Sequence, residues 1–188
     1  KKGEYWKQRC IIYKNALGSQ KNVENFKEYY KYGDEAEQRF VKSLQVYGFK
    51  NKKSSDHDDI HNHWDYIVNF PFKVDVKSSK RFNKEYIHPN DAYVVLEIKN
   101  VHGNKGSIYG DADFFAYEFH DYFVLVCTKV LRLWIATSVD MGDYADHVRD
   151  SYKKVYTRKG REDLMTILPL DAIKKMSSSI ILKNVSRA

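Results

Sequence analysis

Within the stretch HWDYIVNFPFKVDVKSSK, residues 63–80 of a 188-residue chain, three charged side chains stand among residues that otherwise read as strand: Asp65, Asp75 and Lys77. A lone charge in or beside a core is costly, so charges planted there need partners. Phe72, Val74 and Val76 alternate with Lys73, Asp75 and Lys77, the period of two that sends the first set to a core and the second to the opposite face of a strand. Asp65 belongs to the preceding strand, and a turn at residues 69–71 would lay the two strands side by side, with both carboxylates within reach of one cation. Two such carboxylates repel each other unless a cation lies between them. Mg²⁺ suits that setting, because it takes one or two carboxylates and fills its remaining positions with water and substrate phosphate. A neighbouring lysine can orient a water and offset negative charge developing on a phosphate. The chemistry implied is metal-assisted hydrolysis of a phosphodiester.

The elements that must position these groups are readable from periodicity. From Val23 to Tyr47, the residues Phe26, Tyr29, Gly33, Ala36, Phe40, Leu44 and Tyr47 recur at steps of three and four, one face of an amphipathic helix that Gly48 stops. HWDYIVN and FKVDVKSS read as strands, and AYVVLEIKNV as another after a basic, Pro-containing loop. GNKGSIYG reads as a loop, DADFFAYEF as a short helix, YFVLVCT and RLWIATS as two buried strands, and MTILPLDAIKKM as strand, proline break and helix. The expected organisation is one domain: a basic lead-in over 1–22, a core over 23–138 and a mostly helical extension over 139–188. The fold class is mixed α/β (α+β) with a central sheet.

Composition bounds the partners. The formal charge of +7 arises from 32 basic against 25 acidic residues, a folded surface with positive excess that suits a polyanion. No apolar run reaches about 18 residues, and KKGEYWKQRC lacks an apolar leader segment, so a soluble, cytoplasmic setting without a membrane partner is expected. Cys10 and Cys127 are far apart and lack metal-ligand spacing, which suits a reducing compartment. The abundance of Lys, Asn, Ile and Tyr matches an AT-rich genome, such as that of a phage or a low-GC bacterium.

Asp65, nine intervening residues and then Asp75-Val76-Lys77 together resemble the PD-(D/E)xK nucleases, with Trp64 where that pattern writes proline. Many members also carry a glutamate on the helix before the strands. Here GDEAEQRF offers two. With Phe40 at zero and about 100° per residue, Glu37 falls near 60°, inside the apolar stripe, and Glu35 near 220°, toward solvent. The serine after the lysine in VKSSK is similar to the continuation seen in the Holliday junction resolvase branch. The resemblance implies a restriction-endonuclease-like αβββαβ core and Mg²⁺ or Mn²⁺ held by Glu37, Asp65 and Asp75, with Lys77 acting on the attacking water. It also implies DNA as the partner, with RNA as the alternative and a homodimer as an allowed assembly. Lys50, Lys52, Lys53, Ser79, Lys80, Arg81, Lys84, Lys99 and Lys105 are the groups expected at its phosphates. The alternative reading is a catalytically silent nucleic-acid-binding module of the same fold; a purely structural partner-binding domain is the third.

Competing clusters weigh less. LEIKN holds a second E-x-K in Glu97 and Lys99, but its partner acid would be Asp91 or Asp75, each less well spaced than Asp65 is for Asp75, so an auxiliary role is as natural as a catalytic one. His57, His61 and His63 suggest zinc, but no second ligand cluster accompanies them, and an exposed loop is the expectation. The dipeptides His57-Asp58 and His120-Asp121 belong to metal phosphohydrolases that are all-helical, unlike this alternating chain. The glycines at 103, 106 and 110 do not have the spacing of a phosphate-cradling loop. The aromatic run from Phe114 to Phe123 is read as core.

Overall fold

The computed structural model describes residues 20–69, 72–78, 92–176 and 179–184. Residues 1–35 and 36–188 form two compact units. In the first, the described part opens helix α1 (Gln20–Val46), where Lys31 and Glu35 approach to 3.8 Å one turn apart. The expected lead-in over 1–22 lies almost wholly outside the described residues, as do Cys10, Lys84, Pro89 and Asp91.

Gly48 ends α1 as the sequence suggests. It takes φ +72°, its N–H reaches Gln45 O at 3.0 Å, and the N–H of Phe49 reaches Leu44 O at 3.0 Å. This left-handed cap satisfies the last carbonyls of the helix and is open to glycine without steric cost.

The chain then builds a six-stranded mixed sheet in the order β1 (Asn51–Lys53), β2 (Tyr66–Val68), β3 (Phe72–Lys77), β5 (Phe114–Glu118), β6 (Tyr122–Cys127), β8 (Ile180–Lys183). Every neighbouring pair is antiparallel except β3 with β5, which run parallel with Asp75 opposite Phe115 and Lys77 opposite Tyr117. A parallel neighbour demands a long crossover. Residues 78–113 supply it, and they carry β4 (Tyr93–Lys99), which pairs with β7 (Leu164–Pro169) as a separate two-stranded sheet. Helix α2 (Thr128–Ser138) follows β6, and the short α3 (Leu170–Lys174) follows β7.

Two apolar cores sandwich the main sheet. On one face Ala36, Phe40 and Leu44 of α1 pack with Tyr66, Val68, Val74, Val76 and Ala116. On the other, Phe115, Tyr117, Val124 and Val126 pack with Val94, Leu96 and Ile98 of β4, Leu131 and Ile135 of α2, and Ile173 of α3. Arg39 of α1 forms a two-pronged ion pair with the buried Glu118 of β5, tying the helix to the sheet. The fold is therefore mixed α/β, with a central mixed sheet flanked by helices.

Four local expectations are corrected. DADFFAYEF is strand β5, because a strand with a core on each face loses the clean alternation that marks a half-exposed one. RLWIATS lies in helix α2, where Leu131 and Ile135 bury one stripe at a spacing of four. Among the described residues, the segment from 139 onward is mainly irregular with strands β7 and β8, and α3 is its one α-helix, so it is not mostly helical. Phe72, expected in the core, is 50 % exposed at the start of β3 and stacks edge-on with Phe114 at 5.6 Å. The expected order αβββαβ also differs: AYVVLEIKNV is strand β4 as expected, but the helix expected after it is strand β5, so among the described residues no α-helix stands between β3 and β6.

The contrast between the two phenylalanines sets a test. Phe40→Ala should cost about 3–5 kcal/mol in denaturant unfolding, since its ring is fully buried. Phe72→Ala should cost no more than about 1.5 kcal/mol, the worth of an aromatic pair at an open position. Equal losses would refute the placement of Phe72.

Candidate active site

Strand β3 carries the candidate groups Asp75 and Lys77, and a core packs on each of the sheet's faces. Val74 and Val76 point into the core under α1, and the period of two turns Asp75 and Lys77 the other way, beside Phe115 and Tyr117. The charged pair was expected on an open face; instead Asp75 is only 4 % exposed. The physical reason is the crossover: β4 passes over this face and roofs it. Lys77 Nζ lies 2.9 Å from Asp75 Oδ1 and 5.5 Å from the centre of the Phe115 ring. Its stem is packed and its ammonium group stays next to the carboxylate.

Asp65 reaches the same region from the end of β2. The pairing of β2 with β3 runs from Val68–Phe72 to Tyr66–Val74. Beyond it, Asp65 N–H donates to Val74 O at 2.7 Å, and the chain bends away through His63 at φ 54° into a single π-turn over Asp58–Asn62. A strand that loses its neighbour leaves backbone groups unpaired. The Asp65 side chain replaces the departing strand, its Oδ2 accepting the N–H of Val76 at 2.5 Å. At 8 % exposure, Asp65 is thereby fixed to the strand that bears Asp75 and Lys77.

These environments raise the pKa values of both acids. Burial first, then the charges of Asp75 and Glu37, raise the Asp65 pKa well above the usual aspartate range. Asp75 is raised by burial to about 6, with the Lys77 ammonium pulling against that rise. Burial works against a charged Lys77, yet Asp75, Asp65 and Glu97 hold its pKa above the ordinary lysine value. The nearby imidazole of His63 is lowered by burial and by Lys77, and the Tyr117 phenol is raised by burial and by Asp75.

Glu37 does turn toward the sheet, at 14 % side-chain exposure against 39 % for Glu35. Its Oε2, however, accepts from Lys53 Nζ at 2.6 Å and from the Tyr66 hydroxyl at 3.2 Å. The structure therefore brings Asp65, Asp75 and Lys77 together and holds Glu37 in a neighbouring ion pair. Lys53, expected at DNA phosphates, is the partner in that pair. Lys50, Lys52, Lys99 and Lys105 are exposed, and Lys99 bridges across to Lys105. Ser79, Lys80 and Arg81 lie outside the described residues.

Beside Lys77 opens a cavity of about 220 Å³, lined among others by Ser78, Tyr93, Glu97, Ser107 and Tyr117. The sequence marks Glu97 only as part of a rival motif and Tyr117 only as core, and does not single out Ser107, since nothing in the chain order says that β4 folds back toward β3. GNKGSIYG forms a turn whose Gly106 packs so tightly on β4 that a Cβ there would lie 2.2 Å from the Glu97 carbonyl oxygen. The His57 and His61 rings pack against each other at a tilt of 45°, with 4.7 Å between ring centres. Among the described residues no three His, Cys, Asp or Glu side chains converge as a ready-made metal site, and no helix is long and apolar enough to cross a membrane. No family model, curated protein or solved structure matches the chain.

The titration of the acids can be checked. Both folded-state pKa values lie above that of an unfolded aspartate, so between about pH 4 and 6 the folded protein binds more protons, and these groups make it less stable as pH rises. Asp65→Asn keeps an acceptor for Val76 N–H but cannot ionise. Its melting temperature relative to the unaltered, metal-free protein should therefore climb across that range, and carbon-detected NMR should place the Asp75 midpoint near about 6. A pH-independent difference in melting temperature would contradict the shifts.

Proposed function

We propose that this protein is a metal-dependent endonuclease that hydrolyses DNA phosphodiester bonds, with a PD-(D/E)xK site on a restriction-endonuclease-like fold. The observation that carries this reading is the pairing of Lys77 with Asp75 at 2.9 Å on a strand whose departing neighbour leaves Asp65 in its place.

The donor set fits a hard divalent cation. Asp65 and Asp75 are buried oxygen donors whose pKa values are raised first by burial, which a bound cation would offset. Mg²⁺ needs no more than one or two carboxylates when water and phosphate complete its shell. Bound by Asp65 and Asp75, Mg²⁺ or Mn²⁺ would supply Lewis-acid stabilisation of the phosphoryl oxygens and a more acidic water. Lys77 would offset charge on the phosphate as the attacking oxygen adds to phosphorus and the leaving oxygen departs. The exposed Lys50, Lys52, Lys99 and Lys105 would meet flanking phosphates. DNA is preferred to RNA by resemblance alone, and a second copy of the chain remains an allowed partner. The catalytically silent nucleic-acid-binding module has one observation in its favour: Asp75 with Lys77, and Glu37 with Lys53, already form closed ion pairs.

Incubation with Mg²⁺ or Mn²⁺ and a panel of linear, branched and single-stranded DNAs, with RNA beside them, separates the two. Cleavage should occur, and Asp75→Asn and Lys77→Gln should each lower its rate by about 10²- to 10³-fold or more. Retained binding with no cleavage under any condition would favour the silent module. In the same samples, DNA affinity should fall linearly with salt on logarithmic axes, and replacing Lys99 and Lys105 together by glutamine should flatten the slope. Indifference to salt between about 50 and 200 mM would remove nucleic acid as the partner.

A further inference from the structure

Two cations, Lys77 and Arg158, line the cavity described above, and each is anchored by a buried acid. Lys77 Nζ lies 2.9 Å from Asp75, and the Arg158 guanidinium meets Asp163 Oδ2 with Nε and Nη2, while Asp163 Oδ1 accepts the Arg158 backbone N–H at 3.0 Å. In each pair the acid is inside and the cation outside: the side chains of Asp75 and Asp163 are 5 % and 0 % exposed, those of Lys77 and Arg158 36 % and 41 %. An ammonium group has three donors and a guanidinium five, so both keep donors that no described residue takes. The acids at the cavity are Glu118, engaged by Arg39, and Glu97, whose Oε2 accepts Ser107 N–H at 3.2 Å. We infer that this cavity binds a nucleoside monophosphate unit, its phosphate on Lys77 and Arg158 and a donor of its base or sugar on Glu97. That the unit is the end of a nucleic-acid strand rests on the nuclease reading above; the binding itself does not.

Charge, size and surface select that ligand. A lone phosphate would meet the repulsion of Glu97, whereas a ligand that also carries an N–H or O–H donor turns the same acid into a partner. Glu97 is held in place for that role: Gly106 packs so closely on its backbone that no Cβ fits between, and Arg132 of α2 braces the same turn by donating Nε to Ile108 O at 2.7 Å. A volume of about 220 Å³ is several times the ~30 Å³ share of one water and below the ~300–1,000 Å³ of pockets for drug-sized ligands, which suits one small unit rather than a stretch of strand. Phe119, Met165 and the Tyr93 and Tyr117 rings give apolar walls against which a base or sugar can pack.

Nucleotide binding by the full chain, with EDTA present to exclude metal, tests the assignment apart from catalysis. Deoxycytidine monophosphate, deoxycytidine and inorganic phosphate would be titrated by calorimetry and by proton–nitrogen NMR, with melting curves taken on every variant. The monophosphate should bind at least about tenfold more tightly than either the nucleoside or phosphate, since each of those lacks one set of charge-assisted hydrogen bonds. Arg158→Gln should weaken its binding by about tenfold. That change leaves buried Asp163 without its partner, so the double variant Arg158→Gln with Asp163→Asn, an amide in place of each charge, serves if the single one does not fold. Glu97→Gln should weaken the monophosphate yet tighten inorganic phosphate, a crossing that a merely structural role for Glu97 would not produce. Oligodeoxynucleotides with phosphorylated and with hydroxyl 5′ ends distinguish the source: preference for the phosphorylated end assigns strand termini, and equal affinity for the two beside binding of the monophosphate assigns the free nucleotide. No binding of the monophosphate, or binding that neither the Arg158 nor the Glu97 variants alter, would overturn the inference. DNA cleavage by that same protein would then leave the nuclease reading standing, whereas nucleotide binding without cleavage under any condition would support this inference and remove that reading.

Discussion

The Asp75–Lys77 ion pair is the constraint around which this fold is arranged. A carboxylate and an ammonium group 2.9 Å apart, one of them almost wholly removed from water, survive only while both are present. Losing Lys77 would leave the buried Asp75 carboxylate without its partner, at a cost of about 3–5 kcal/mol. A strand that must carry this pair on one face and Val74 and Val76 on the other needs a packed layer above and below it. Helix α1 provides one layer and the β4–β7 pair provides the other.

The parting of β2 from β3 follows from the same arrangement. If β2 had continued, its backbone would have satisfied Val76 N–H and the Asp65 carboxylate would have had no task. Because the chain turns away through His63, the side chain takes over a backbone role. That hydrogen bond costs the acid much of its freedom and brings a second negative charge toward the first. Burial first, and for Asp65 the charge of Asp75 next, raise the pKa values of the two acids, and a cation would favour their ionised forms. Structural necessity and chemical function thus meet in one hydrogen bond.

Much of this was legible in the chain. The stripe of Ala36, Phe40 and Leu44 defined α1 and its phase, and that phase turned Glu37 inward and Glu35 outward. The alternation around Asp75 set the two faces of β3, and the Pro169 break separated β7 from α3. What misled were segments buried on both sides. DADFFAYEF has no polar face because two cores cover β5, and RLWIATS is too short to show its helical stripe plainly.

The sequence by itself determined which residues could do chemistry and on which side of their own element they stand, since both follow from side-chain type and the local period of helix or strand. Only the tertiary structure decided which of those sides face one another. The crossover from β3 to β5 brings Glu97 of β4 to the cavity that Lys77 lines and leaves Glu37 to Lys53. Periodicity is a property of neighbours along the chain, and it carries no information on how a crossover of this length folds back.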